Sequence, residues 1–234
     1  MIQVLGKKLA FPDPRHLKFE PEPGLVAVGG DFSVERLLLA YRNGIFPWTD
    51  DPITWWSPNP RAIFEFDQFH VSRSLQKLAK QCVVLEEHEP VGSNQDAPFE
   101  ITINRAFSQV IEHCATSRNV GNWITSEFVK AYTKLHAAGH AHSLEVWHKR
   151  ELAGGIYGVA IGGFFAGESM FHFVSNASKV ALYFLCERLR ERGYKLFDLQ
   201  VVTPTTKQFG AVEISRDEYL DRLKTALFVP VAFH

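Results

Sequence analysis

Two carboxylates stand inside segments whose other residues are typical of buried strands. Glu168 lies in the run FFAGESMF, residues 164–171, and Asp198 lies in KLFDLQVV, residues 195–202. Burying an ionised group without a partner costs several kcal/mol, so each placement requires a compensating interaction. Structural carboxylates satisfied by backbone or arginine are one explanation. The other, which the surrounding sequence favours, is a negatively charged cleft for a cationic or amine substrate.

Asp198 and Gln200 alternate along their predicted strand and are therefore expected to share a face. A carboxylate beside an amide could accept hydrogen bonds from an incoming amine. An α-amino group titrates at about pH 8, so modest proton abstraction makes it nucleophilic at neutral pH. Gln200 could act as the base or only as a hydrogen-bonding partner, and Asp198 could equally well hold the next turn.

Three tryptophans, Trp48, Trp55 and Trp123, fall in segments predicted to be loops. Loop aromatics can stack on an unpaired base, which contributes about 1–3 kcal/mol per base. Ordinary packing at a domain junction is the alternative explanation.

A basic stripe, defined by Arg73, Lys77 and Lys80, occupies positions i, i+4 and i+7 of a predicted helix. Such a stripe can follow a phosphate backbone, in which case the affinity depends on salt. The alternative is an ordinary solvated helix face.

No residue pattern indicates a metal or an organic cofactor. His140 and His142 point to one face of a predicted strand, but the sequence supplies neither a third ligand at a suitable spacing nor an HExxH motif. The glycine-rich segment 154–163 fits strand and turn, and it does not resemble a phosphate-binding loop before a helix. We therefore predict no metal and no cofactor.

The bulk properties are those of a globular protein with one large domain and room for a small appendage. The chain has 234 residues and a net charge of −1, which excludes a strongly basic nucleic-acid binder but permits a local basic patch. No stretch approaches the roughly 18 apolar residues of a membrane span. The N-terminus does not read as an export signal, and the three cysteines are widely spaced. We expect a reduced, cytoplasmic protein with no membrane partner.

Helix caps and strand runs predict a mixed α+β fold. Helices are expected after Ser33, Ser72, Asn104, Thr125, Asn176 and Ser215. Three strand-like runs in residues 142–173 are separated by short turns, which favours antiparallel pairing. A polar, proline-flanked segment, residues 86–98, is expected to be a mobile surface loop.

We predict a small N-terminal domain, residues 1–64, that includes the turn-rich segment WWSPNPR. Residues 65–234 would form a second domain with a mixed sheet and flanking helices. Its order of three antiparallel strands, a long helix, a further strand and a closing helix resembles the Gcn5-related N-acetyltransferase (GNAT) fold. Such a fold analogy says little about the reaction.

Several motifs together resemble the leucyl/phenylalanyl-tRNA–protein transferase family. They cover most of the chain in one order: GLVAVGGDFSVERLLLAYRNGIFPW, WWSPNPRAIF, FHVSRS, NWIT, HAHSLEVW, LAGGIYGV, GESMF, NASKVAL and DLQ. The resemblance implies transfer of Leu or Phe, and less well Met, from aminoacyl-tRNA to an N-terminal Arg or Lys of acceptor proteins in the N-end rule pathway. It also implies a small N-terminal domain on a GNAT-like domain. Because the aminoacyl ester is already activated, catalysis would consist mainly of orienting two substrates, and nothing in the sequence demands more than a monomer.

The resemblance also implies roles for individual positions. Trp48 and Trp123 would sandwich the terminal adenine of the tRNA, and the basic stripe would contact the acceptor stem. Asp198 and Gln200 would position and deprotonate the acceptor amine, while Glu168 would orient that cationic end. The apolar pocket for the Leu or Phe side chain would be lined by Ile156, Phe165, Gly167, Leu182 and Phe197.

Two features depart from the family pattern. The family usually has a histidine after the proline in the segment before Phe209, whereas this chain reads TPTTKQ at residues 203–208. Residues 86–98 look like an insertion.

Two other functions remain open from the sequence. A coenzyme-A-dependent acyltransferase would share the fold, but its pyrophosphate motif, Gln/Arg-x-x-Gly-x-Gly/Ala, is not completed anywhere in the chain. A non-catalytic RNA-binding module would explain the tryptophans and the basic stripe, yet it leaves Glu168 and Asp198 without a purpose.

Overall fold

Two β-sheets and seven α-helices make up the part of the chain that the structure describes. The computed structural model describes residues 2–17, 22–117 and 123–233. The helices are α1 (Val34–Arg42), α2 (Arg73–Ala79), α3 (Phe107–Thr116), α4 (Ser126–Ala137), α5 (Ala177–Glu191), α6 (Pro204–Gln208) and α7 (Arg216–Ala226). The strands are β1 (Gln3–Leu5), β2 (Leu25–Gly29), β3 (Phe46–Asp50), β4 (Ile53–Trp56), β5 (Arg61–Phe64), β6 (Val83–Val84), β7 (Glu100–Ile103), β8 (Ala141–His148), β9 (Glu151–Ile161), β10 (Phe164–His172), β11 (Leu196–Gln200) and β12 (Val212–Ile214). Within the described ranges, no helix combines the length and the apolar character needed to cross a membrane.

The smaller sheet and α1 form the N-terminal unit. Its strand order is β1-β2-β4-β3, in which only the β1–β2 pair is parallel. Helix α1 begins where the Ser33 hydroxyl accepts a hydrogen bond from the Arg36 N–H at 3.3 Å. It is followed by Gly44 at a φ of 71°, a backbone conformation that favours glycine after a helix. The Ser33 cap and the Gly44 stop, both predicted from the sequence, are confirmed.

The larger sheet has the order β12-β5-β11-β10-β9-β8-β7-β6. Strands β8, β9 and β10 are antiparallel neighbours, as the short turns predict. Helix α5 then crosses the sheet, so that β11 returns parallel to β10. The mixed α+β class is confirmed.

Strands β10 and β11 pair over only part of their length. Hydrogen-bonded register runs from Phe164 opposite Leu196 to Ala166 opposite Asp198 and stops there. Beyond this point each strand carries a bulge towards its other neighbour, between residues 167 and 169 on β10 and between 198 and 200 on β11. Because a bulge bends its strand, the two strands separate and leave a gap in the sheet.

The hydrophobic core crosses from the N-terminal unit into the rest of the chain. One cluster joins Leu37 and Trp55 of the N-terminal unit with Phe128 and Tyr157, all four of them fully buried. A second cluster packs the other face of the large sheet against α5. The N-terminal unit is therefore fixed on the large sheet by shared core packing.

The predicted domain boundary at residue 64 divides the large sheet. Strand β5, which that boundary assigns to the N-terminal domain, pairs with both β11 and β12. From the sequence, no strand is predicted at residues 61–64, which follow the prolines of the turn-rich segment WWSPNPR. The boundary between the sheets falls before β5.

Two local predictions are corrected. Asn104 does not cap α3: its Oδ1 accepts the Ser143 N–H at 3.0 Å, and α3 begins three residues after it. The segment 86–98 is tethered, because the buried Glu100 carboxylate accepts the backbone N–H groups of Gly92 and Asn94 at 2.6 and 2.7 Å. The Arg105 guanidinium donates to two carbonyl groups of the same segment.

Candidate active site

A cavity of about 440 Å³ opens where β10 and β11 stop pairing. Its walls include residues 167–170 of β10 and residues 199–201 at the end of β11. Other walls come from β3 of the N-terminal unit, from β9 and α5, from residues 203–206 and from Trp123. The cavity therefore draws on both units of the chain.

One part of the cavity is an apolar slot, defined by Ile156, Gly167, Met170, Leu182 and Phe197. A Cβ added to Gly167 would stand 3.1 Å from Cε2 of Phe197, so the glycine keeps the slot open beside that ring. The structure thus brings together four of the five residues predicted to line an apolar pocket.

Phe165, the fifth residue, does not line the cavity. Its side chain is fully buried, with the ring edge-on to Phe197 at 5.6 Å and stacked on Phe233 at 5.5 Å. Phe165 shares a face with Gly167, two residues later, but it lies in the stretch where β10 still pairs with β11, before the gap opens. Phe165 supports Phe197 from behind.

Trp48 and Trp123 both line the cavity, as the stacking hypothesis requires. Trp48 is 36% exposed and edge-on to Trp56 at 5.4 Å, and Trp123 is edge-on to Phe128 at 5.1 Å. The assignment of Trp48 and Trp55 to loops is wrong, since they lie on β3 and β4. Trp55 is fully buried and donates its indole N–H to a backbone carbonyl, so it is a core residue.

Glu168 is a half-buried carboxylate in the cavity wall. Its Oε1 accepts the Tyr41 hydroxyl at 2.8 Å and the Gln200 Nε2 at 3.3 Å, and its Oε2 lies 3.3 Å from the Tyr132 hydroxyl. Burial, together with the nearby charge of Asp198, raises the pKa of Glu168 to about 8. Within the described residues no cationic side chain forms an ion pair with it.

Asp198 is fully buried and paired with an internal arginine. Arg61 Nε donates to Oδ1 at 2.8 Å and Arg61 Nη2 to Oδ2 at 2.6 Å, while the Tyr219 hydroxyl donates to Oδ2 at 3.0 Å. Asp198 does not line the cavity. Direct abstraction of an amine proton by Asp198 is therefore not supported. Of the two explanations offered for a carboxylate in a buried strand, Asp198 fits the one in which an arginine and the backbone satisfy it.

Gln200 does line the cavity, so it does not share a face with Asp198 in the way strict alternation predicts. The bulge between residues 198 and 200 breaks the alternation, and Gln200 takes a left-handed backbone conformation with φ 61°. Its N–H donates to Oδ1 of Asp198 at 3.0 Å. Asp198 thus holds the backbone of Gln200 in the conformation that presents the amide to the cavity.

The basic stripe is present as predicted. Arg73 and Lys77 lie on α2 and Lys80 caps it, and all three side chains are exposed. Spacings of i, i+4 and i+7 place them on one helix face.

The predicted histidine pair lies elsewhere, in the wall of a second cavity of about 880 Å³. His142 is buried, with its ring stacked on Phe233 at 4.4 Å and its Nδ1 3.0 Å from Nδ2 of Asn104. In the described part of the chain, no three His, Cys, Asp or Glu side chains come together in a group that could hold a metal ion.

Four functional neighbours were missed from the sequence: Tyr41, Arg61, Tyr132 and Tyr219. Arg61 carried a usable signal, because an arginine that opens an apolar run such as RAIF needs a buried counter-charge, and Asp198 stood in a similar run. The three tyrosines gave no such signal, since each occupies an apolar position of a helix and is indistinguishable in the sequence from an ordinary core residue.

Chemically, the cavity can hold an apolar side chain beside a carboxylate and an amide, with aromatic rings also in its wall. This arrangement suits the joining of a hydrophobic acyl group to an amine. Comparison with known proteins agrees with it.

Two family models match the chain. The model described as leucyl/phenylalanyl-tRNA protein transferase matches residues 63–224, and the model of the N-terminal domain of the same proteins matches residues 30–59. The first model covers most of the chain. The chain belongs to the leucyl/phenylalanyl-tRNA–protein transferase family, whose members are aminoacyltransferases that use tRNA and protein substrates.

Curated relatives match over nearly their whole length. The leucyl/phenylalanyl-tRNA–protein transferase of Klebsiella pneumoniae (strain 342) is 48% identical over 225 residues, covering 95% of this chain and 89% of the relative. The protein of the same name from Salmonella heidelberg (strain SL476) is 45% identical over 234 residues, covering 99% and 93%.

Two solved structures show weaker similarity. L-PGS from Bacillus licheniformis gives a TM-score of 0.44 at 12% identity, covering 82% of this chain and 70% of that one. A GCN5-related N-acetyltransferase-like protein from Streptococcus suis 89/1591 gives 0.35 at 15% identity, covering 74% and 60%. Similarity at this level carries no inference about the site.

Proposed function

We propose that the protein transfers Leu or Phe, and less well Met, from aminoacyl-tRNA to the α-amino group of proteins that begin with Arg or Lys. This activity would mark the acceptors for N-end rule degradation in the cytoplasm. The observation that carries the proposal is that the apolar slot, the Glu168 carboxylate and two tryptophans share one cavity. A hydrophobic aminoacyl ester and a cationic chain end can meet there.

In this proposal the apolar slot binds the side chain of the aminoacyl group. Met170 and Leu182 supply flexible aliphatic surface and Phe197 supplies a flat wall, which suits unbranched or γ-branched side chains. One methylene changes binding by about 1–3 kcal/mol, so β-branched Val and Ile would be disfavoured by tens of fold.

The tRNA would be bound at two places. Trp48 and Trp123 would stack on the terminal adenine, and the exposed basic stripe would contact the backbone of the acceptor stem. Replacing Lys77 by Glu should then weaken tRNA binding uniformly and lower its dependence on salt.

The acceptor would enter with its cationic end towards Glu168, which is the one carboxylate among the described residues that line the cavity. Gln200 would contact the amine through its amide oxygen, because its Nε2 already points at Glu168. Asp198 would act as a positioning residue through its bond to the Gln200 N–H. No second subunit is needed to complete the cavity, and we propose a monomer.

The direct test uses purified protein, Leu-tRNA labelled in the amino acid, and three peptides that differ only in a first residue of Arg, Lys or Ala. We expect label on the Arg and Lys peptides and at least about 100-fold less on the Ala peptide, because Ala keeps the α-ammonium group but lacks the second, side-chain cation that the Glu168 carboxylate would attract. Equal labelling of all three would refute the acceptor preference.

Two controls separate the alternative functions. Acetyl-CoA, titrated by calorimetry, should not bind; tight binding would support a coenzyme-A-dependent enzyme. The variant Glu168→Gln should keep tRNA binding and lose transfer at neutral pH. A protein that binds tRNA but never transfers label, with intact charged tRNA present, would be an RNA-binding module.

A further inference from the structure

Two buried phenols connect the N-terminal unit to Glu168. Tyr41 comes from α1 and Tyr132 from α4, and both side chains are fully buried. The two hydroxyl oxygens are 2.5 Å apart, and the Tyr41 hydroxyl is 2.8 Å from Oε1 of Glu168. Neither residue belongs to the slot, the tryptophan pair or the basic stripe.

The protons of this group can be counted. A phenol carries a single proton: the Tyr41 hydroxyl donates to Oε1, and the Tyr132 hydroxyl lies within hydrogen-bonding distance of both the Tyr41 oxygen and Oε2. Gln200 Nε2 donates to the same Oε1. Oε1 therefore receives two donors, whereas Oε2 receives one, the Tyr132 hydroxyl at 3.3 Å, which also contacts the Tyr41 oxygen.

We propose that Oε2 of Glu168 accepts the proton of the acceptor's α-ammonium group, and that Tyr41 and Tyr132 are positioning residues that turn this oxygen to the substrate. The inference rests on the proposed function, because it takes an amine as the second substrate. It assigns the proton transfer to Glu168 and not to Asp198, whose two oxygens are occupied by Arg61, Tyr219 and the backbone of residue 200.

The reaction then balances as follows. An N–H bond of the ammonium breaks and its proton moves to Oε2, which leaves a lone pair on nitrogen. That lone pair forms the C–N bond to the ester carbonyl carbon, and the bond from this carbon to the ribose oxygen breaks. The ribose oxygen takes a second proton from the nitrogen, and Glu168 returns its proton to water.

The charged and titratable groups around Glu168 favour this role. Tyr41 and Tyr132 face it from two helices, and the Arg61–Asp198 pair lies near it on β5 and β11. Burial raises the pKa of Glu168 to about 8, close to the ordinary pKa of an α-amino group. Proton transfer between groups of matched pKa is efficient near the working pH.

The test is the pH profile of kcat/KM for an Arg-starting peptide, from pH 6 to 10, with ester hydrolysis measured in parallel. The wild-type protein needs ionised Glu168 and protonated amine together, so we expect a bell centred at about pH 8. Glu168→Gln can use only the free amine, so its rate should rise steadily to a plateau. The loss should be about 100-fold at pH 6.5 and less than about 5-fold at pH 9.5.

The tyrosines have their own readout. Tyr41→Phe removes a donor that stabilises the ionised carboxylate, so the acid limb should move up by roughly one pH unit. Tyr132→Phe should move the acid limb in the same direction by less, because its hydrogen bond to Glu168 is longer, 3.3 Å against 2.8 Å for Tyr41. Tyr183→Phe removes a phenol of α5 that does not line the cavity and should leave the profile unchanged.

The outcomes separate this inference from the proposed function. No transfer by the wild-type protein at any pH would refute the proposed function itself. Wild-type transfer with a Glu168→Gln profile of unchanged shape, merely scaled down, would overturn the proton-acceptor role. An acid limb that stays in place in both tyrosine variants would overturn their positioning role.

Discussion

Breaking the buried ion pair Arg61–Asp198 should lower the free energy of unfolding more than any other single substitution in this part of the sheet. The two side chains are 1% and 0% exposed and joined by two charge-assisted bonds at 2.8 and 2.6 Å. Removing one partner leaves the other charge buried without compensation, which costs about 3–5 kcal/mol. Against a total stability of about 5–15 kcal/mol, this is a loss of about a fifth or more.

The prediction is tested with Arg61→Met, Asp198→Asn and the double variant. We expect each single variant to lower the free energy of unfolding by about 3–5 kcal/mol, and the double variant to lose at least about 2 kcal/mol less than the sum. Unfolding in urea can be followed by the fluorescence of the five tryptophans. Arg222→Met is the matched control, because it breaks only partly exposed ion pairs, to Glu65 and Glu218, and should cost less than about 1 kcal/mol.

The same variants also measure function. Asp198→Asn keeps an oxygen that can accept the Gln200 N–H, but the hydrogen bond to a neutral amide is weaker than the bond to a carboxylate. Turnover should therefore fall while tRNA affinity stays nearly intact. Single-variant costs below about 1 kcal/mol, or strictly additive costs, would refute the structural reading of this pair. A matching loss of tRNA affinity would refute the positioning role.

Three further predictions follow from the cavity. Gly167→Ala places a Cβ 3.1 Å from the Phe197 ring, so in competition between Phe-tRNA and Leu-tRNA the share of Phe transferred should fall about 10-fold; an unchanged ratio would place the side chain elsewhere. Trp48→Ala should raise KM for aminoacyl-tRNA by roughly 5- to 100-fold from lost stacking, with the urea midpoint nearly unchanged because Trp48 is 36% exposed; a large drop in stability would show a packing role instead. The folded pKa of Glu168, about 8, lies above the ordinary carboxyl value, so its stabilisation is fully present below about pH 4.5 and is lost as pH rises towards 8. Discounted for partial exposure, wild type should lose about 2 kcal/mol more than Glu168→Gln between pH 5 and pH 8, and parallel curves would contradict the raised pKa.

The sequence predicted the helices and the central strands because their signals are local. The Ser33 and Ser72 caps and the run of three strands are each encoded within a few residues. Strand β5 was missed because its partners, β11 and β12, are more than 130 residues away, and no local pattern reveals such pairing.

The candidate site was predicted in part for a related reason. Residue types alone pointed to Glu168, Trp48 and the apolar residues, since carboxylates and aromatics in unusual places are visible in a sequence. Whether a carboxylate is open or sealed depends on what lies opposite it. Nothing near Asp198 in the sequence shows that Arg61 fills that position, nor that the bulge at residue 199 turns Gln200 away from it.

The N-terminal unit supplies part of the candidate active site. Its Tyr41 hydroxyl donates to the Glu168 carboxylate, and its Trp48 lines the cavity. Its Gly44 carbonyl accepts a hydrogen bond from Arg61 at 3.0 Å. A fragment that starts at β5 would keep Glu168 and Gln200 but lose Tyr41, which donates to Glu168, and Trp48 of the cavity wall. Grafting or truncation experiments on this enzyme must therefore carry both units together, because neither unit alone encloses the cavity.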